Sequence, residues 1–308
     1  MSFSYSVKKE LCNLMTDKDR KFACFYGMLL FCKNFTADNI LFQTENDVVC
    51  ELFCSLADDV LGAHNAVSVN KNIKKNNTTL YALNIAEEKH REEIIYRYHI
   101  SSRKLIHRII EENIDNNNVF AFIAGAFLSC GSVTEPMKEY HLEFAVPFHE
   151  LMIDLLEMLS SLGFNVKSTE RRGNYVIYLK GSEDIEDLIT FMGATMSSIE
   201  LMNTKIYKDV RNKANRIANC DAANIERTLK ASDKQVADIE YIMEKIGLEN
   251  LPADLIEIAE TRLEFPEMSL RELGEALEKP IGRSGANHRL KRISEFAAAL
   301  REECGETE

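Results

Sequence analysis
Two stretches of the chain carry no charge and repeat one pattern. Residues 22–32 and 120–130 agree at Phe22 and Phe120, Ala23 and Ala121, Gly27 and Gly125, Leu30 and Leu128, and Cys32 and Cys130, at a constant offset of 98. The segments after the two copies also agree. Apolar residues alternate at strand spacing over Ile40 to Thr44, and again at Leu142, Phe144 and Val146. Helical spacing comes next, through Val49, Leu52, Phe53, Leu56 and Val60 in the first copy and Phe148, Leu151, Met152, Leu155, Leu156 and Leu159 in the second, with Gly62 and Gly163 at the ends. Two short strands are then predicted in each copy, Ala66 to Asn70 with Thr79 to Ile85, and Asn165 to Thr169 with Tyr175 to Lys180. A closing helix comes last, near Glu88 to Tyr98 and over Glu183 to Met192, the latter capped by Ser182. The same order twice makes each half an α+β repeat.

A helix without a polar stripe has to be buried on every side. Ala121, Gly125 and Ser129 recur every four residues, a ridge of small side chains along which another helix backbone can approach, and Ala23 with Gly27 begins the same ridge. The two uncharged helices are predicted to pack on each other as a pseudo-twofold seam.

After Leu201 the pattern is helical only. Val236, Ile239, Met243 and Ile246 share a face ending at Gly247; Pro252 opens the next helix, with Leu255, Ile258, Ala259 and Leu263 inward and Phe265-Pro266 at its end. Ser269 with Glu272 forms a capping box before Leu270 to Leu277. A turn with one apolar residue, Ile281, leads to a last helix with Ala286, Leu290 and Ile293 inward and Ser284 as its cap. Such a pair of helices has the anatomy of a helix-turn-helix. Gly274 weakens the first of them by about 1 kcal/mol relative to alanine, a cost explained if the second helix approaches there.

Charge sharpens this picture. With 37 Lys and Arg against 49 Asp and Glu in 308 residues, the net charge of -12 excludes a protein that coats polyanions over its whole surface, so any nucleic-acid surface is local. Lys205 to Arg216 contains five cations and only Asp209 as an acid, with Asn203, Asn212, Asn215 and Asn219 interleaved. Arg283 to Arg292 contains four cations and no acid. On the last helix Ser284, Asn287, His288 and Lys291 fall at i, i+3, i+4 and i+7, one outward face for base readout, while Arg283, Arg289 and Arg292 flank it for phosphate. Lys208, Arg211, Lys213 and Arg216 of the basic run are further phosphate candidates.

Other chemistry is absent from the sequence. The eight cysteines form no CxxC pair, the seven histidines no HExxH, and there is no phosphate-binding glycine loop or GxSxG, so no cofactor, metal or catalytic residue is expected. The longest apolar run, Val119 to Leu128, is too short to span a bilayer, and Lys8, Lys9 and Glu10 near the start do not resemble a secretory signal. A cytoplasmic, nucleoid-associated protein is expected.

The two seam helices resemble those of LAGLIDADG homing endonucleases. More closely, the chain resembles the bacterial WhiA family in Gly125 to Val133, Tyr140 to Glu143, Leu179 to Asp184, Lys208 to Asn212, Asn215-Arg216 with Asn219-Cys220, and Ser284 to Leu290. In the nucleases each seam helix ends in a metal-binding acid; here those positions fall on Cys32 and Cys130. A thiol is a poor substitute for a carboxylate toward Mg²⁺, so the resemblance implies a degenerate, non-enzymatic scaffold. It also implies a role in cell division and chromosome segregation, and in transcriptional control linked to sporulation in some bacteria.

The expected organisation is a first LAGLIDADG-like repeat over 1–110, a second over 111–200, a basic connector over 201–224, and an all-α domain over 225–308 with its helix-turn-helix at about 269–294. Duplex DNA is the expected partner. The acidic repeats favour a protein-binding platform, while Lys167, Arg171, Arg172 and Lys180 on their strands keep a duplex contact open. The rival expectations are a protein-interaction adaptor with little DNA affinity, and a residual endonuclease.

Overall fold
The computed structural model describes residues 2–74, 77–100, 107–171 and 173–304; Arg172 lies outside them. The chain divides into two compact units, Met1–Asp209 and Val210–Glu308.

In the first unit the order is α1 (Phe3–Cys12), α2 (Lys18–Leu30), β1 (Asn34–Phe35), β2 (Ile40–Thr44), α3 (Asp47–Leu61), β3 (Ser68–Ile73), β4 (Thr79–Asn84) and α4 (Glu88–Arg97). The second repeat continues as α5 (Val119–Cys130), β5 (Gly131–Val133), β6 (Leu142–Val146), α6 (His149–Ser161), β7 (Lys167–Arg171), β8 (Asn174–Leu179) and α7 (Ser182–Met192). Each repeat folds into a four-stranded antiparallel sheet, and the two sheets have the same strand order, β1-β2-β4-β3 and β5-β6-β8-β7. Phe42 pairs with Leu83 in one and Phe144 with Ile177 in the other, all four buried. The alternation of β2 and β6 buries one face of each sheet against the helices.

The seam is real and unusually close. A Cβ placed on Gly27 would stand 2.3 Å from the Phe122 carbonyl oxygen, and one on Gly125 would stand 2.1 Å from the Cys24 carbonyl oxygen. Only hydrogen fits at both positions, so the matched glycines let the backbones of α2 and α5 touch. Tyr26 and Tyr98 stack beside the seam at 5.0 Å, and Tyr98 donates its hydroxyl to the Phe22 carbonyl.

Several sequence expectations shift. The outer strands begin two residues later than expected, at Ser68 and Lys167; every residue of β3 and β7 is exposed, so no buried alternation marks their limits. Ser182 is the first residue of α7 rather than its cap, which is Gly181. Helix α1, which buries Phe3, Val7 and Leu11, lies outside the repeat pattern and is not among the expected elements. Its Glu10 carboxylate accepts from the Met196 and Ser197 amides at 2.7 and 2.9 Å and so caps the helix that begins at Thr195.

That helix, α8 (Thr195–Lys245), runs for 51 residues through the expected connector and the expected first helix of the last domain. In the second unit its lower half packs with α9 (Ala253–Glu264), α10 (Leu270–Glu275) and α11 (Arg283–Glu303) around Ile239, Ile242, Leu255, Ile258, Leu273, Leu290 and Ile293. Ile242 takes the inward place expected for Met243, which is exposed.

Candidate nucleic-acid interface
The helix-turn-helix is built from short-range devices. Ser269 Oγ accepts from the Glu272 amide while Glu272 Oε2 accepts from the Ser269 amide at 2.8 Å, the reciprocal capping box expected at the start of α10. The hydroxyl and the amide of Ser269 beside the Glu272 carboxyl lower its pKa. Gly274 is explained by the turn and not by the second helix: an added Cβ would lie 2.4 Å from the Ile281 carbonyl oxygen, and the Ile281 amide donates to the Gly274 carbonyl at 2.9 Å. The turn folds back across α10 and delivers the chain to α11, whose cap is Gly282; Ser284, expected as the cap, lies in the first turn.

Two buried ionic groups brace this arrangement, and the sequence pattern signals neither. Arg262 is 2% exposed and donates to the Pro266 and Met268 carbonyls at 3.2 and 2.7 Å, pinning the connection from α9 to α10. Burial lowers its pKa. Asp238 of α8, 3% exposed, pairs with Arg301 of α11 at 2.8 Å, and that guanidinium also covers the Tyr241 ring. Charged residues are seldom buried, so periodicity alone assigns both to the surface.

On α11 the face divides cleanly. Ala286, Leu290, Ile293 and Ala297 are buried, and Arg283, Ser284, Asn287, His288 and Lys291 are exposed or nearly so. Arg289 and Arg292 are half-buried at the flanks. Arg292 is turned to Asp254 of α9, and Lys291 stands 3.6 Å from Glu295. Arg283, Ser284, Asn287 and His288 thus bring together guanidinium, hydroxyl, amide and imidazole groups in the first two turns without an acid, and Lys291 follows, beside Glu295. Amides can bond adenine and cations guanine or phosphate from such a face.

The other candidates differ in their surroundings. Lys208, in the first unit, donates to the Pro136 carbonyl at 2.9 Å and lies over the Tyr140 ring at 4.4 Å, so its ammonium is engaged by the β5–β6 connection. Arg211, Lys213 and Arg216 are exposed on α8. Lys167 and Arg171 are exposed on β7, and Lys180 lies over Tyr178.

The positions of the seam acids hold thiols in unlike settings. Cys32 lies just past α2 and donates to the Asn34 carbonyl at 3.2 Å; Cys130 ends α5 close to the ammonium of Lys8. Burial pushes both thiols up to about 12, so both are protonated near neutrality and poor ligands for a hard cation such as Mg²⁺. Lys8 donates to the Leu128 carbonyl at 3.2 Å, placing a cation at the end of α5, where the resemblance would require a divalent metal. These residues do not fit Mg²⁺, and among the described residues no three His, Cys, Asp or Glu gather as metal ligands. All eight cysteines are free. No helix among the described residues is long and apolar enough to cross a membrane.

Comparison with known proteins agrees with this architecture. Residues 119–211 match the family model described as the WhiA LAGLIDADG-like domain, and residues 214–297 match the WhiA C-terminal HTH domain. The chain is 37% identical over 318 aligned positions to a protein named probable cell division protein WhiA from Clostridium tetani, covering 98% of this chain and 99% of that one. A protein of the same name from Clostridium perfringens is 37% identical over 314 positions, with the same coverage. Among solved structures, full-length DUF199/WhiA from Thermatoga maritima is similar with a TM-score of 0.57 and 25% identity, covering 97% of this chain and 99% of that one. With a LAGLIDADG-like repeat scaffold and a carboxyl-terminal helix-turn-helix, the chain belongs to the WhiA family.

Proposed function
We propose that this protein binds duplex DNA without cleaving it, acting in cell division and chromosome segregation, in transcriptional control, or in both, on the nucleoid. One observation carries the reading: the exposed face at the start of α11, on which Ser284, Asn287 and His288 stand open without an acid, with Lys291 next to them beside Glu295. These four read base edges, while Arg283 and Arg289 grip phosphate, joined by Arg211, Lys213 and Arg216 of α8. Arg292 and Lys208 contribute only by leaving Asp254 and the Pro136 carbonyl. The relatives' name supports the cellular role, and the thiols at the acid positions together with Lys8 support the loss of cleavage.

The test uses the full-length protein. Its affinity for duplex DNA is expected to fall steeply between about 50 and about 200 mM salt, as released counterions require. Supercoiled plasmid incubated with the protein and Mg²⁺ is expected to stay intact. Absence of binding at the lower salt overturns the DNA reading, and nicked or linear plasmid overturns the non-enzymatic one.

A further inference from the structure
From Asp209 to Ala231 every residue of α8 is exposed. A helix in such a position has no packing to hold it and depends on intrinsic propensity, for which Ala, Leu, Glu, Lys and Arg are the strong formers. Among the alanines and cations of this stretch stand Asn212, Asn215, Asn219 and Asn224. Asparagine is a weak helix former because its amide competes for backbone hydrogen bonds. A local choice that opposes its own fold marks a position selected for something else.

The spacing says for what. Asn212, Asn215, Arg216 and Asn219 fall at i, i+3, i+4 and i+7, the same pattern as Ser284, Asn287, His288 and Lys291 on α11. Ala222 and Ala223 continue the face, keeping it slim, and no acid occurs between Asp209 and Asp221. Further along, Arg227 donates to the Asn224 side chain at 2.8 Å, whereas no hydrogen bond or ion pair among the described residues engages any of these four side chains. Three amides and a guanidinium on one narrow helix face match the edges that adenine and guanine present in the major groove.

We propose that Asn212, Asn215, Arg216 and Asn219 form a second base-reading face, taking adenine and guanine edges in the major groove of duplex DNA. The proposal rests on the DNA-binding reading above and extends it: α8 supplies sequence choice, and Arg216 moves from phosphate to base.

The experiment selects binding sites from a random duplex library with three full-length proteins: wild type, Asn287→Ala, and the triple variant Asn212→Ala, Asn215→Ala, Asn219→Ala. Alanine strengthens the helix, so melting of α8 does not explain lost binding. Wild type is expected to select two specified blocks of base pairs. The triple variant keeps the block that Asn287→Ala disturbs, loses the other, and binds the wild-type site about 10- to 100-fold more weakly. Unchanged sites and affinity in the triple variant overturn the proposal while leaving the α11 reading in place. So does equal weakening on every duplex with both blocks retained, which is the mark of phosphate contact. Unaltered sites in the triple variant with capture of a protein partner lost also overturn it. A wild type that selects no sequence removes both readings.

Discussion
Helices α5 and α11 are both central to their units, yet their sequences answer to different demands. Along α5 the run from Ala121 to Leu128 is buried without a break, and its glycine is fixed by a backbone atom of α2. Along α11 burial touches only Ala286, Leu290, Ile293 and Ala297, one residue in every three or four. Packing dictates nearly all of the first helix and a single stripe of the second. Chemistry has room to be chosen only where packing leaves positions open, and the first two turns of α11 use that room for a polar face without an acid.

Breaking the packed side of the comparison has the largest expected effect. Gly125→Ala would drive a Cβ into the Cys24 carbonyl, backbone against backbone, with no flexible side chain to yield. We expect a loss of at least about 3 kcal/mol in the first unit, seen as a large downward shift in its thermal melt. An unshifted melt would mean that the helices do not meet as closely as described.

Gly274→Ala sets the same kind of contact in the second unit against a gain. Alanine improves the propensity of α10 by about 1 kcal/mol, but its Cβ would lie 2.4 Å from the Ile281 carbonyl oxygen. The turn has to move, so a net loss of about 1 to 2 kcal/mol is expected, together with weaker binding to DNA. A more stable variant would show that the turn gives way easily.

The same contrast decides which features are legible in the sequence. The repeat is legible because the two copies bury equivalent faces, and burial repeats the same residue types at Gly27 and Gly125 or at Phe42 and Phe144. The α11 face is legible for the opposite reason, as polar residues at helical spacing beside a sparse apolar stripe. Helix α8 is not: its exposed middle, rich in asparagine, looks like a break between helices, and only the structure shows one continuous helix from Thr195 to Lys245. The roles of Glu10, Arg262 and Asp238 depend on contacts distant in sequence or on buried charge, which no periodicity encodes.

On the open side, Asn287→Ala is expected to leave stability within about 0.5 kcal/mol, since the side chain is exposed, while relaxing preference at one or two base pairs by about 1 to 3 kcal/mol. Stability is read from urea unfolding and preference from competition between single-base variants of the selected site. Equal weakening on all sequences would reassign Asn287 to phosphate.

The smallest effect concerns Lys8, the cation at the end of α5. Burial lowers its pKa from 10.5 to about 8, with the Cys130 and Cys12 thiols acting in the opposite direction. Below about pH 8 the ammonium is charged in both folded and unfolded chains, and the cost of burying it is fully present. As pH rises from there toward 10.5, the folded chain releases the proton while the unfolded chain keeps it, so stability rises from this group. The raised pKa of Cys12 and Cys130 works in reverse, because their unfolded thiols ionise from about pH 9 upward while the folded ones stay neutral. The clean window is therefore about pH 8 to 9. Lys8→Met keeps a stem to pack over Phe127 and removes the proton, so the stability of wild type relative to this variant should increase across that window in urea unfolding. Parallel pH curves would show that the ammonium at the end of α5 is as well solvated as one on the surface.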